Sequence, residues 1–197
     1  MILHLAALAV LVGGGRLALA LARWPAAALR AGTWSAVGGS ALGLAAALAA
    51  LASGRAAQLA LPWTAPLAAF HVGVDPLSAF FEVALFGLAI PAALYGAAYM
   101  RPHLGRRGLP AFLFFQNLLL AAIALVLSAR QAVLFLVAWE VMAVASFLLV
   151  VFEHDDAEVR GAGFVYLVAS HLGTAFLFAL FALLGREAGA LDFGAFA

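Results

Sequence analysis

The chain contains no cysteine, and all ten of its basic residues are arginine. The first absence excludes a disulfide framework, a thiolate zinc site and a cysteine-held iron–sulfur cluster within this stretch. Charge is scarce: 10% of residues are Asp, Glu or Arg, and the formal net charge is +1. Neither a nucleic acid nor an acidic partner is indicated by such a balance. No Gly-x-Ser-x-Gly or His-Glu-x-x-His pattern is present, so an ordinary hydrolase is not expected, and no catalytic redox site, cofactor ligand set or metal site is visible. What remains is apolar. Hydrophobic residues make up 68% of the 197 positions, which points to an all-α, polytopic transmembrane helix bundle in a lipid bilayer.

Hydropathy places about six spans, at 2–21, 34–52, 77–100, 109–128, 131–152 and 162–184. Ala18-Leu19-Ala20 resembles a small-residue cleavage site, but no Lys or Arg precedes Arg16, so Ile2–Leu21 reads as a retained first span rather than a signal peptide. Gly13-Gly14-Gly15 lacks the preceding strand and following Lys-Ser/Thr of a phosphate loop and reads as a soft or closely packed point in the first helix. Gly38, Gly39 and Gly43 suit close packing of the second. Asp75-Pro76 should cap and open the third helix, and Pro91 should kink it. Only Ala129-Arg130 separates the fourth and fifth spans, so these form a tight antiparallel pair.

The arginines set an expected orientation. Loops after the first, third and fifth spans hold Arg23, Arg30, Arg101, Arg106, Arg107 and Arg160, against Arg55, Arg130 and Arg186 on the other side. The richer side faces the cytoplasm by the positive-inside rule, leaving the N-terminus outside a bacterial plasma (inner) membrane. Trp24, Trp34, Tyr95 and Tyr99 fall near the expected interfaces. Gly185–Ala197 reads as a polar loop with no stop-like terminal feature.

Three residues could carry chemistry. Glu140 is the sole ionisable group in the run from Gln131 to Phe152. It lies roughly 13 Å from one end at a ~1.5 Å rise per residue, near the middle of a hydrocarbon core ~30 Å thick. A carboxylate there is expensive unless protonated, paired or wetted. It is either a proton-exchanging group or a hydrogen-bonding contact between helices. His171 lies about ten residues into the sixth span, which runs opposite to the fifth, so both groups can share a depth. It is either a proton relay or a neutral bonder, with Ser170 or Thr174 at hand. Glu82, two turns into the third span, either faces a hydrated funnel or pairs with a neighbouring helix. Gln116 and Asn117 read as interhelical hydrogen bonders. Glu153–Glu158 reads as a solvated loop that caps the sixth helix rather than a metal site. His4, His71 and His103 fall at span ends or in loops and receive no role.

Several segments together carry a resemblance. They are Val74-Asp-Pro-Leu-Ser-Ala-Phe-Phe81, Phe115-Gln-Asn-Leu-Leu-Leu-Ala121, Ala138-Trp-Glu-Val-Met-Ala-Val-Ala-Ser-Phe147 and its continuation to Glu153, Tyr166-Leu-Val-Ala-Ser-His-Leu-Gly-Thr-Ala175, and Gly185-Arg-Glu-Ala-Gly-Ala-Leu-Asp-Phe193. They resemble the antiporter-like proton-translocating subunits of respiratory complexes, in particular the branch found in hydrogenase-4 and formate hydrogenlyase. The large antiporter-like subunits of complex I and of multi-subunit cation/proton antiporters are relatives of that branch. The resemblance covers about residues 70–197, the start of the antiporter-like domain. Residues 1–69 form two further helices and an outer loop that fit only in span number and spacing.

The resemblance implies an N-terminal piece of a longer subunit that moves protons, or Na⁺ in their place, while partner subunits of a hydrogenase or complex I-like assembly carry electrons. It implies that Glu140 is a main proton-channel residue, with His171 and Glu82 as further candidates. A cation/proton antiporter subunit and a structural membrane scaffold are the alternatives.

Overall fold

A bilayer offers the backbone no hydrogen-bond partner but itself, so long apolar runs fold as helices. The structure is a computed structural model that describes residues 1–62, 69–105 and 108–196. Among these residues six helices are long and apolar enough to cross a membrane. They are α1 (Ile2–Ala20), α2 (Pro25–Ser53), α3 (Pro76–Tyr99), α4 (Leu109–Ser128), α5 (Ala132–Val150) and α6 (Ala157–Ala188). The chain is an all-α, multi-pass membrane protein with one small hairpin, β1 (Ala57–Pro62) and β2 (Ala69–Val74).

Two helices are longer than hydropathy suggests, because charged residues are tolerated in their terminal turns. α2 begins at Pro25, not near residue 34, with Trp24 as N-cap and proline in its first turn. Arg30 therefore lies inside the helix, its Nε donating to the Ala26 carbonyl at 3.3 Å. Trp34 consequently sits more than two turns in, not at the helix end. α6 starts at Ala157, where the Asp156 side chain accepts the Glu158 amide at 2.8 Å, the cap expected of the charged loop. It includes Arg160, which donates to the carbonyls of His154 and Asp155. It also runs on to Ala188, so the first residues of the expected polar loop are helical, and Gly189 ends it at φ +68°. Arg30 and Arg160 stay at the end of the bundle to which their loops were assigned; Arg106 and Arg107 lie outside the described residues.

Packing follows a chain of neighbours. α1 packs on α2 and α4, α2 on α3 and α4, α4 on α5, and α5 on α6. Small residues permit the close approaches. A Cβ on Gly43 would lie 2.3 Å from the Phe86 ring, and one on Gly39 would lie 2.7 Å from Leu11, whereas Gly38 has no such neighbour. Gly15, in the triple glycine, packs against Phe114 and Asn117. Asn117 is buried and joins α4 to α2: its amide donates to Gly32 O at 2.9 Å and its oxygen accepts the Ser35 hydroxyl at 3.1 Å.

The ends of α2, α4 and α6 and the starts of α1, α3 and α5 meet at the hairpin. Arg130 N–H donates to His71 O at 2.9 Å, and Phe193 N–H donates to Arg130 O at 2.9 Å. The α4–α5 link is thus sandwiched between β2 and the segment after α6. The Arg130 guanidinium fans out to Asp75 Oδ2 at 2.9 Å, Gly73 O at 2.9 Å and Ser78 Oγ at 3.0 Å. Asp75 also caps α3 as expected, accepting Ser78 N–H at 2.8 Å. Partial burial pushes its pKa up, but the Ser78 amide and the Arg130 charge outweigh this and hold the carboxyl below its ordinary value. β2 is further tied to the far segment by His71 Nδ1 and Asp192 Oδ2.

Candidate functional site

Two glutamate–histidine pairs stand out, one at mid-span between α5 and α6, the other near the hairpin end between α1 and α3. α6 runs antiparallel to α5 and touches it at three levels. Gly163 lets Val151 and Phe147 approach at one end, and Phe135 meets Phe181 at 5.5 Å between centroids at the other. Between them Glu140 Oε2 faces His171 Nε2 at 3.6 Å. The two groups therefore do share a depth. His171 does not bond Ser170 or Thr174. Its Nδ1 lies 2.9 Å from the Leu167 carbonyl, while the Thr174 hydroxyl donates to Ser170 O.

The Leu167 contact fixes the chemistry of the ring. A carbonyl only accepts, so Nδ1 carries hydrogen and Nε2 is the lone-pair edge turned to Glu140. The pair then has one mobile proton to place: on Glu140, with neutral imidazole, or on His171, facing a carboxylate. At 3.6 Å the two atoms stand a few tenths of an ångström outside direct hydrogen-bond reach. Both side chains are accessible, 32% for Glu140 and 51% for His171.

Glu82 has neither solvent nor a funnel around it. It is fully buried, and Oε1 lies 3.3 Å from Nδ1 of His4, itself 1% exposed. Of the two expectations for Glu82, pairing with a neighbouring helix is the one realised. His4 Nε2 continues to the Ser128 hydroxyl at 3.1 Å, and that hydroxyl is 3.4 Å from the Leu125 carbonyl. The serine donates to the carbonyl and so receives Nε2–H, leaving Nδ1 as the edge that faces the carboxyl. Sequence reading assigns nothing to His4 because it stands near the start of the chain. The available signal is that α1 holds it inside an apolar run, as α6 holds His171.

No family model matches the chain. Hydrogenase-4 component B of Escherichia coli K12 is 35% identical over 123 residues, 62% of this chain and 18% of that relative. NADH-quinone oxidoreductase subunit L of the same organism is 30% identical over 125 residues, 63% of this chain and 20% of that protein. Among solved structures, a chain of the membrane-bound sulfane sulfur reductase, an archaeal respiratory membrane complex, superposes over 95% of this chain and 28% of its own length, with a TM-score of 0.77 at 22% identity. That likeness is one of fold. The chain spans about a fifth of the length of the curated relatives it matches; by sequence it is similar to hydrogenase-4 component B and NADH-quinone oxidoreductase subunit L, and by fold to a chain of an archaeal respiratory membrane complex.

Proposed function

We propose that the chain is part of a proton-translocating membrane subunit of a respiratory-type complex, coupled to electron transfer in partner subunits, in a bacterial inner membrane with the hairpin end outside. Glu140 and His171 form its mid-span proton-exchange site. The observation that carries this reading is the apposition of a carboxyl and an imidazole at one depth of an apolar helix pair, with the far ring nitrogen already engaged. Such a pair changes proton occupancy as neighbouring charges move, and intramembrane ionisable groups ordinarily mark ion paths. The apolar outer face of α6, with Phe164, Val165, Phe176 and Phe178 exposed, is where further subunits or lipid would sit.

The test is Glu140→Gln in the whole protein, assembled with its partners in sealed membrane vesicles, with proton movement followed by a pH-sensitive dye during electron transfer. Coupled acidification falls by at least about tenfold, as expected for loss of an acid–base group, while assembly is retained. Wild-type acidification by an assembled variant overturns the reading, and movement that tracks Na⁺ rather than H⁺ assigns the site to the other ion.

A further inference from the structure

His4 and Glu82 satisfy each other incompletely. Neither carboxylate oxygen of Glu82 has a hydrogen-bond partner among the described residues, nor does His4 Nδ1, and all are shut off from solvent. An isolated buried carboxylate costs several kcal/mol, so the group is held either as an acid against a neutral ring or as an ion pair with an imidazolium. Both arrangements contain one proton, shared between Oε1 and Nδ1 across 3.3 Å.

This pair has its own approach from the hairpin end. A cleft of about 510 Å³ opens there, with His4 in its wall beside Ala46, Ala50, Ser53 and Arg55. The cleft has room for many waters, and Ser53 and Arg55 give them polar partners. His4 thus stands between that space and Glu82. Of the other ionisable groups around this end, Met1, which carries an α-amino group, also lines the cleft. α4 presents Ser128 to the ring, Asp75 is paired with Arg130 and His71 with Asp192, and Arg55 lies in the cleft itself.

We infer that His4–Glu82 is a second protonation site, loaded and emptied by water through the hairpin-end cleft and separate from Glu140–His171. At rest Nδ1 is closed to the cleft and Nε2 is engaged by Ser128, so loading needs the cleft wall to part locally; hydronium then gives one proton to His4 Nδ1, relieving a transient carboxylate beside a neutral ring, and leaves as water. The imidazolium keeps that proton or passes it to Glu82 Oε1, and emptying is the reverse transfer to water. The inference rests on the membrane placement of the chain but not on the role of Glu140.

Two measurements on the whole protein in membranes test it. The chain carries no cysteine, so Ala50→Cys and Ala121→Cys each provide one thiol of its own. A membrane-impermeant maleimide added from the hairpin side is expected to modify Ala50→Cys at least tenfold faster than the buried Ala121→Cys; equal, slow labelling overturns the aqueous cleft. Infrared difference spectra across a pH jump are expected to contain a carboxyl band that disappears in Glu82→Gln and persists in Glu140→Gln. Should Glu82→Gln fail to assemble, Ser128→Ala removes the acceptor of Nε2–H and is expected to shift the pH at which that band changes. A spectrum without any band that depends on Glu82 or Ser128 overturns the second site, whatever Glu140→Gln does to proton movement.

Discussion

The His4–Glu82 and Glu140–His171 pairs have the same chemistry and opposite surroundings. His4–Glu82 is sealed where α1, α3 and α4 meet, with 1% and 0% of the side chains exposed. Glu140–His171 lies on the open flank, where only 6% of the α6 span is buried. In both, one ring nitrogen is engaged, by Ser128 Oγ or by Leu167 O, so the other is aimed at a carboxyl. What differs is what happens when one member is removed. In the interior the survivor has nowhere to turn; on the flank it can turn to whatever covers α6. Burial therefore makes the first pair part of the fold as well as a candidate proton site, while the second is free to serve chemistry alone.

The largest effect that would break this comparison is on stability. Glu82→Ala leaves a cavity and an unpartnered buried imidazole, and is expected to cost about 3–5 kcal/mol. Glu140→Ala is expected to cost less, because its partner His171 is left 51% exposed by the protein and can reorient. Thermal unfolding of both in the same detergent checks the ranking, and equal losses would mean that exposure does not separate the pairs. The double variant His4→Leu, Glu82→Leu is expected to recover most of the loss, because a buried ion pair is often replaceable by apolar groups of similar volume.

A second contrast concerns the helices that carry the pairs. Gly43 in α2 lies against the Phe86 ring of α3, the helix that bears Glu82, and a Cβ there would stand 2.3 Å from the ring. Gly43→Ala must push the helices apart and is expected to cost about 1–3 kcal/mol. Gly173 in α6, two residues from His171, has nothing within 4 Å of its would-be Cβ. Gly173→Ala is expected to stabilise by about 0.4–1 kcal/mol, through the lower freedom of the unfolded chain. Opposite signs in parallel melts would sharpen the distinction between a packed four-helix interior and a flank helix; two losses would place α6 in a packed environment as well.

These differences mark where the sequence is informative. The six helices, the Asp75 cap, the tight α4–α5 link and the bonding of Asn117 are readable because each depends on local pattern: apolar run length, an Asp-Pro start, a two-residue gap, a pair of amides in an apolar helix. The depth match of Glu140 and His171 follows from counting along antiparallel spans. The ends of α2 and α6 are not readable, because Arg30 and Arg160 lower the local hydropathy although a helix end carries them at little cost. The hairpin escapes notice because its strands are short and lie between much stronger helix signals. His4–Glu82 is invisible as a pair because it joins residues 78 apart in sequence on helices that are not consecutive; only the path of α1 past α3 brings them together.

The smallest expected effect tests the cover over the buried pair. Asp75 and Arg130 hold the start of α3 against the α4–α5 link, directly beside the hairpin and the cleft that leads to His4. The folded pKa of Asp75 lies below its unfolded value, so the contribution of the charged group is fully present above the unfolded value. It fades as the pH falls through the folded value, because the unfolded chain then binds the proton more readily. Lowering the pH from 6 towards 3 is therefore expected to reduce the melting temperature more in the wild type than in Asp75→Asn. With Asp75 partly exposed the difference should be modest and should shrink in high salt. A variant that loses as much as the wild type would show that Arg130 holds the platform through Gly73 O and Ser78 Oγ alone. A variant that loses less, and whose Ala50→Cys thiol also labels faster at neutral pH, would tie the Asp75–Arg130 bridge to closure of the cleft and distinguish the sealed pair from the open one by its gate as well as its burial.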